Sequence, residues 1–427
     1  MSLARLRTIV ALAAGTAAAV LTLSACTATA PAPATTPSAT GIADASACVT
    51  DPSGYSERRQ SAASSDALPA DLASALDDAA VAAIASTQDP GSVASTQAPG
   101  TIVAVRSPEG TWISSYGVAD LGTDAPMTAD LHHRIASVTK SFTATLILQL
   151  VAEGELSLAD PVSRYVPEVP HGDEITLADL ITMRSGIRDY FDSFLAEWIS
   201  TSSVAYSADQ MLAVSFAEPP LFAPDAGFDY SNANYLLLGQ VVEKVTGNSF
   251  EQELDARIIE PLGLSGTSWP GESAAMPDPH SRGYSHVIAV DGAPAATSDG
   301  SLVDTTDFNP SWAGAAGEMI GTASDLLAYG RALGTGEGLL SEAAQTERLS
   351  SFQPGWTEES QYGQGMICRS GWVGHGGDTL GFHTDVYYNG EIDTTIVVLM
   401  NRYPSHEPQN IVTALAAQLG RPIAPLD

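Results

Sequence analysis

The chain has 427 residues, 44% of them apolar, which is more than one minimal domain needs and ample for a large buried core. Its 18 Lys and Arg stand against 50 Asp and Glu, a formal charge of −32. That charge repels phosphate backbones and anionic lipid, so nucleic acid is a poor partner. The basic residues are also lopsided: 16 are Arg, and only Lys140 and Lys244 are Lys.

Arg5 and Arg7 precede an apolar, alanine-rich run from Ile9 to Leu23, the pattern of an export signal over residues 1–25. The run is short for a membrane span, and no later stretch is apolar and long enough to be one. Residues 26–66 are rich in Ala, Thr, Ser and Pro with almost no large apolar side chain. Such a segment cannot offset its ordering entropy by burial, so a flexible tether is expected there. The folded body is then expected over residues 67–427. Beyond Cys26, only Cys48 and Cys368 remain. In an oxidising compartment the two could form one disulfide, with two free thiols as the alternative.

Order is expected to begin with a helix carrying Leu68, Leu72, Leu76 and Ile84 at helical spacing, with Pro69 suited to its first position. Thr101–Arg106 and Trp112–Val118 read as a hairpin joined through Pro108-Glu109-Gly110. The region of about 137–300 reads as mostly helical, as in Ser141–Glu153, Leu177–Met183 and Tyr235–Val245. Strands return at Gln361–Ile367, Trp372–Gly374, Phe382–Tyr388 and Thr394–Leu399, with turns expected at Gly376-Gly377 and Asn389-Gly390, before a last helix at Asn410–Leu419. Early and late strands around a helical block imply an α+β fold: one antiparallel sheet built from both chain ends, flanked by helices, with a helical lobe inserted.

Three segments could carry chemistry. In Ser137-Val138-Thr139-Lys140 a three-residue spacing puts serine and lysine on one helix face. Ser137 would sit where first-turn N–H groups favour an oxyanion, and a buried lysine can act as a neutral base. Lys140 lies inside an apolar helix of an arginine-preferring chain, where a surface lysine would more easily be arginine. In Tyr230-Ser231-Asn232, at a loop-to-helix junction, a tyrosine hydroxyl could relay a proton and the asparagine amide could bind a substrate carbonyl. A packing aromatic and a helix-capping asparagine are the alternative. In His375-Gly376-Gly377-Asp378, glycines permit close approach of substrate, and the Asp378 N–H could complete an oxyanion hole with that of Ser137. His375 could be neutral or protonated there, or simply a solvent-facing hairpin residue. Trp312 and the cluster Tyr190, Phe191 and Phe194 could wall a pocket or belong to the core.

The order Ser-x-x-Lys, Tyr-Ser-Asn, His-Gly-Gly resembles the serine β-lactamase and penicillin-binding protein superfamily, and within it the soluble D-alanyl-D-alanine carboxypeptidases and class C β-lactamases. The likeness runs from about residue 90 to 420 and includes His133–Phe142, Gln149–Gly154, Met183–Gly186, Tyr230–Tyr235, Pro261–Leu264 and Gly321–Asp325. It implies a β-lactamase/transpeptidase-like fold and an acyl-enzyme on Ser137, with Lys140 and Tyr230 sharing base and acid duties and Asn232 and His375 orienting substrate. It implies no metal and no cofactor. The substrate would be a small peptide, ester or β-lactam, with D-Ala-D-Ala carboxypeptidase, esterase and β-lactamase activities open beside a non-catalytic binding protein, and the chain is expected to be a monomer. Leu23-Ser24-Ala25-Cys26 resembles a bacterial lipobox, which implies lipidation of Cys26 and the outer face of the membrane, with ordinary secretion as the alternative. In the carboxypeptidases resembled, an arginine and threonines receive the substrate carboxylate. Here Ile367, Gly376 and Asp378 stand in those places, an Asp378 side chain turned inward would repel a carboxylate, and Arg369 is a substitute on the same strand face as Ile367.

Overall fold

The computed structural model describes residues 48–60, 66–86, 98–290, 293–357, 359–403 and 407–423. The segment expected to be an export signal, residues 1–25, and Cys26 lie outside them. A nine-stranded sheet forms the centre, running in spatial order Gln353–Pro354, Ser360–Tyr362, Ile367–Arg369, Trp372–Thr379, Phe382–Asn389, Thr394–Met400, Gly100–Ser107, Gly110–Asp120, Ala125–Pro126. Strand Gly100–Ser107 pairs antiparallel with Thr394–Met400 on one side and with Gly110–Asp120 on the other, so both chain ends build one sheet as expected. Strand Thr394–Met400 is buried along its whole length, which explains its unbroken Thr-Thr-Ile-Val-Val-Leu-Met composition: neither face meets water. Helices Ala70–Ser86 and Glu407–Gln418 pack together beside the sheet, and Ala323–Thr335 lies against its strands.

The lobe holds helix Thr139–Glu153, whose stretch from Thr139 to Leu148 is wholly buried, together with Leu177–Ile181, Phe191–Ser200, Ala208–Phe216 and Asn232–Thr246. Reciprocal Thr176/Asp179 and Ser207/Gln210 caps start two of them. The lobe is not purely helical, because Val287–Val290 and Ala293–Ala296 form a hairpin within it.

Three expectations need correction. The segment 26–66 is not tether throughout: from Cys48 to Gln60 it is folded against the body, with helix Pro52–Glu57 capped by Asp51. Tyr55 is buried there and donates to the Gly371 carbonyl, and Cys48 is bonded to Cys368. Composition hid this because a few specific groups do the anchoring: Tyr55, the disulfide, and Arg58 and Arg59, which donate to the carbonyls of Gly390, Leu340 and Thr335. The run Gln361–Ile367 is two strands, Ser360–Tyr362 and Ile367–Arg369, separated by Gly363-Gln364-Gly365-Met366. Gly376-Gly377 is not a turn but the middle of strand Trp372–Thr379. The chain reverses instead at Leu380-Gly381, where Gly381 takes φ +90°.

Candidate active site

Ile135-Ala136-Ser137 forms a tight turn leading into helix Thr139–Glu153. Ala136 has φ +45°, a left-handed conformation unfavourable for alanine, and the turn is held by the Ile135 N–H donating to Met319 O. Strained backbone at this point directs Ser137 into a cleft of about 700 Å³.

One turn along, the buried Lys140 Nζ lies 3.0 Å from Ser137 Oγ, 2.7 Å from Asn232 Oδ1 and 2.7 Å from the Ala316 carbonyl. The last two can only accept. A neutral amine therefore spends two N–H bonds on them and turns its lone pair toward the serine hydroxyl. Burial pushes the amine down to about 7, with the charge of Asp189 pulling the other way. Nζ also lies 4.8 Å from the centroid of the Tyr230 ring. The Tyr230 hydroxyl is hydrogen-bonded to Ser137, and burial raises its pKa well above the usual value, so it stays a phenol rather than a phenolate.

Strand Trp372–Thr379 closes the other side. At Gly377 a side chain is impossible: a Cβ would stand 2.2 Å from Ile135 O and 2.9 Å from Ser137 N. This glycine permits the close contact between the strand and the serine turn. His375 is buried, not solvent-facing. Its Nδ1 meets the Gly376 carbonyl at 2.5 Å and so carries the proton, while Nε2 lies 3.3 Å from the Tyr362 hydroxyl. Burial and the nearby Lys140 push it down to about 3, so it brings no charge to the cleft at neutral pH.

Asp378 does not stand as a bare carboxylate facing substrate. It pairs with His383 Nδ1 across the Leu380-Gly381 hairpin, and Asp385 holds His383 Nε2 at 3.0 Å. Although burial opposes it, the two carboxylates raise His383 to about 10, and the resulting cation offsets Asp378. Arg369 lines the same cleft and is hydrogen-bonded to Tyr387. Trp312, Phe191, Leu195 and the half-exposed Trp356 supply aromatic and apolar wall. Tyr190 supports Trp312 by donating to its carbonyl at 2.9 Å, and Phe194 packs behind it.

The structure thus brings Ser137, Lys140, Tyr230, Asn232, Trp312, His375, Gly377 and Asp378 to one cleft. Asn232 carries an additional task, since its Oδ1 faces Lys140. Sequence reasoning missed Asp189, whose carboxylate takes the Asn232 amide. It also missed Tyr362, His383 and Asp385. A signal for the last two existed: His383 and Asp385 are two apart on a strand, hence on one face, and Asp378 pairs opposite His383. Among the described residues no cluster of His, Cys, Asp and Glu suits a metal ion. Within the same limits, no helix is long and apolar enough to cross a membrane.

Penicillin-binding protein 4* of Bacillus subtilis (strain 168) is 25% identical over 313 residues, covering 71% of this chain and 68% of that protein. Esterase EstB of Burkholderia gladioli is 34% identical over 161 residues, a match spanning 35% of this chain and 41% of the esterase. Among solved structures, a D-stereospecific amidohydrolase from Streptomyces sp. superposes with a TM-score of 0.68 at 30% identity, covering 78% of this chain and 97% of that one. The family model described as Beta-lactamase matches residues 74–421, a span that contains the serine turn, the lysine helix, the tyrosine loop and the His-Gly-Gly strand. With its cleft and its sequence in agreement, the chain belongs to the beta-lactamase family of serine hydrolases.

Proposed function

We propose that the protein is an exported serine hydrolase that cleaves amide or ester bonds through an acyl-enzyme on Ser137, with chemistry like that of D-alanyl-D-alanine carboxypeptidases. The observation that carries this reading is the Lys140 amine, fixed by two acceptors with its remaining direction toward Ser137 Oγ at 3.0 Å. Neutral Lys140 takes the serine proton as Oγ attacks the substrate carbonyl. Tyr230 gives its phenolic proton to the leaving amine or alcohol while taking one back from the Lys140 ammonium, so it is a phenol before and after the step and the amine is neutral again. The carbonyl oxygen, now negative, is met by the Ser137 and Asp378 N–H groups. Water attacks the acyl-enzyme by the same route in reverse and releases the acid.

A leaving group with a free carboxylate is supported by Arg369 in the cleft wall and by the pairing of Asp378 with His383, which removes the repulsion expected of a lone aspartate. The esterase alternative is favoured by Ile367, an apolar side chain lining the cleft where a carboxylate-binding arginine is expected. Lipidation at Cys26 would place the enzyme on the outer face of the membrane.

Incubation with a fluorophosphonate and, separately, with a penicillin, followed by intact-mass measurement, tests the reading. One adduct per chain that disappears in Ser137→Ala is expected. Labelling elsewhere, or none with either reagent, would overturn it. Turnover of a D-Ala-D-Ala peptide against a short-chain aryl ester then separates the two substrate classes.

A further inference from the structure

Asp189 touches no reacting atom in this scheme, yet it is largely buried beside the base. It lies in the loop between Gly186 and helix Phe191–Ser200. Its carboxylate accepts the backbone N–H of Asn232 at 3.1 Å, the Asn232 Nδ2 group at 3.2 and 3.1 Å through its two oxygens, and the backbone N–H of Phe191. A primary amide has one accepting end and one donating end. With a carboxylate fixed on one side, the NH2 end must face Asp189, and the oxygen is left for Lys140 at 2.7 Å. In the reversed amide, Oδ1 would oppose the carboxylate oxygens, and the NH2 group would compete with the Ser137 hydroxyl for the lone pair of the amine. The lone pair points at Ser137 only while both acceptors, Asn232 Oδ1 and Ala316 O, are in place.

We propose that Asp189 is a positioning residue that acts through the Asn232 amide to hold the Lys140 lone pair on Ser137. The inference rests on the proposed role of Lys140 as base. Other titratable groups face the amine: Tyr230 from its loop, Tyr235 from helix Asn232–Thr246 with its ring centroid 5.8 Å away, and His375 from strand Trp372–Thr379. All three are neutral near pH 7, since burial raises both phenols and lowers the imidazole. Asp189 is the carboxylate whose charge bears on Lys140, and it also faces Tyr190 and Tyr230. Burial raises its own pKa, and the Asn232 N–H groups and Lys140 counter that rise.

The test is the pH dependence of aryl-ester turnover by the full chain. Asp189→Asn removes the charge and permits the reversed amide. The expected result is a kcat lower by about 10²-fold with KM changed only a few-fold, and an acid limb moved to lower pH because the amine has lost its nearby anion. Asp189→Glu keeps the charge but moves it by one methylene, so its limb should stay near that of the wild type while kcat still falls. If Asp189→Asn does not fold, by circular dichroism, Asp189→Glu alone decides the case: kcat within twofold of wild type overturns the proposal. An Asp189→Asn enzyme with wild-type kcat and an unmoved limb overturns it directly. A merely structural role would lower the melting temperature and leave the limb in place, which also counts against it. Fluorophosphonate labelling of wild-type Ser137 is run in parallel. A labelled wild type beside an unaffected Asp189→Asn removes this inference alone, whereas an unlabelled wild type removes the hydrolase reading and this inference with it.

Discussion

Lys140 on helix Thr139–Glu153 and His383 on strand Phe382–Asn389 are both deeply buried, and burial acts on both in the same direction by disfavouring the cation. Yet Lys140 falls to about 7 while His383 rises to about 10. The difference lies in what touches them. Lys140 meets an amide oxygen, a carbonyl and a hydroxyl, with its nearest carboxylate one amide away at Asp189. His383 is gripped on both ring nitrogens by Asp378 and Asp385. His375, enclosed without a carboxylate, falls to about 3. Amide, carbonyl and hydroxyl partners in one place and two carboxylates in the other divide a group pushed toward the neutral amine from one held as a cation.

Making Lys140 a permanent cation breaks the comparison most severely. Lys140→Arg keeps a donor but cannot deprotonate near neutral pH, so kcat/KM on an aryl ester should fall by about 10³-fold, with fluorophosphonate labelling slowed in parallel. Next in size is Gly377→Ala. Its methyl must push the strand away from Ile135 O and Ser137 N, which should lower the melting temperature and, by misplacing the proposed oxyanion hole, lower kcat by about 10²-fold. In the wild type, the acylation rate should rise with pH through about 7 as Lys140 loses its proton, and a stopped-flow profile checks this. His375, at about 3, and His383, at about 10, contribute no limb in between.

The smallest effect sharpens the other half. The folded pKa of His383 is raised above its unfolded value of about 6.5, so its contribution to stability is fully present below that pH and is lost as pH climbs through about 10. The melting temperature should therefore decline from pH 6.5 toward 10, and His383→Gln should flatten that portion of the curve. Asp378→Asn with Asp385→Asn should leave burial unopposed and bring the His383 resonances in a proton NMR titration below the ordinary histidine range. An unmoved titration would show that the carboxylates are not the cause.

Much of this site could be read from residue order. The i, i+3 spacing of Ser137 and Lys140 is local geometry, and one of only two lysines placed in an apolar helix is conspicuous. The sheet was legible because β-branched runs gather at both chain ends. What escaped is non-local. Gly376-Gly377 looked like a turn because a glycine pair usually is one, whereas Gly377 is there for a backbone contact with a turn some 240 residues earlier, which strand periodicity does not encode. Asp189 looked like any loop acid, since its meaning depends on an amide 43 residues away. The folded Cys48–Gln60 segment was hidden by an Ala- and Ser-rich surrounding, and the partner of Cys48 lies 320 residues along the chain.

The central claim is that Lys140 is an amine poised to lose its proton near neutrality, and the chain's two lysines make it directly measurable. With 15N-labelled lysine the chain gives two Nζ signals, those of Lys140 and Lys244, and Lys244→Arg assigns them. A Lys140 midpoint of about 7 is predicted. A signal that stays that of an ammonium beyond about pH 9, in the range of an ordinary lysine, would contradict it.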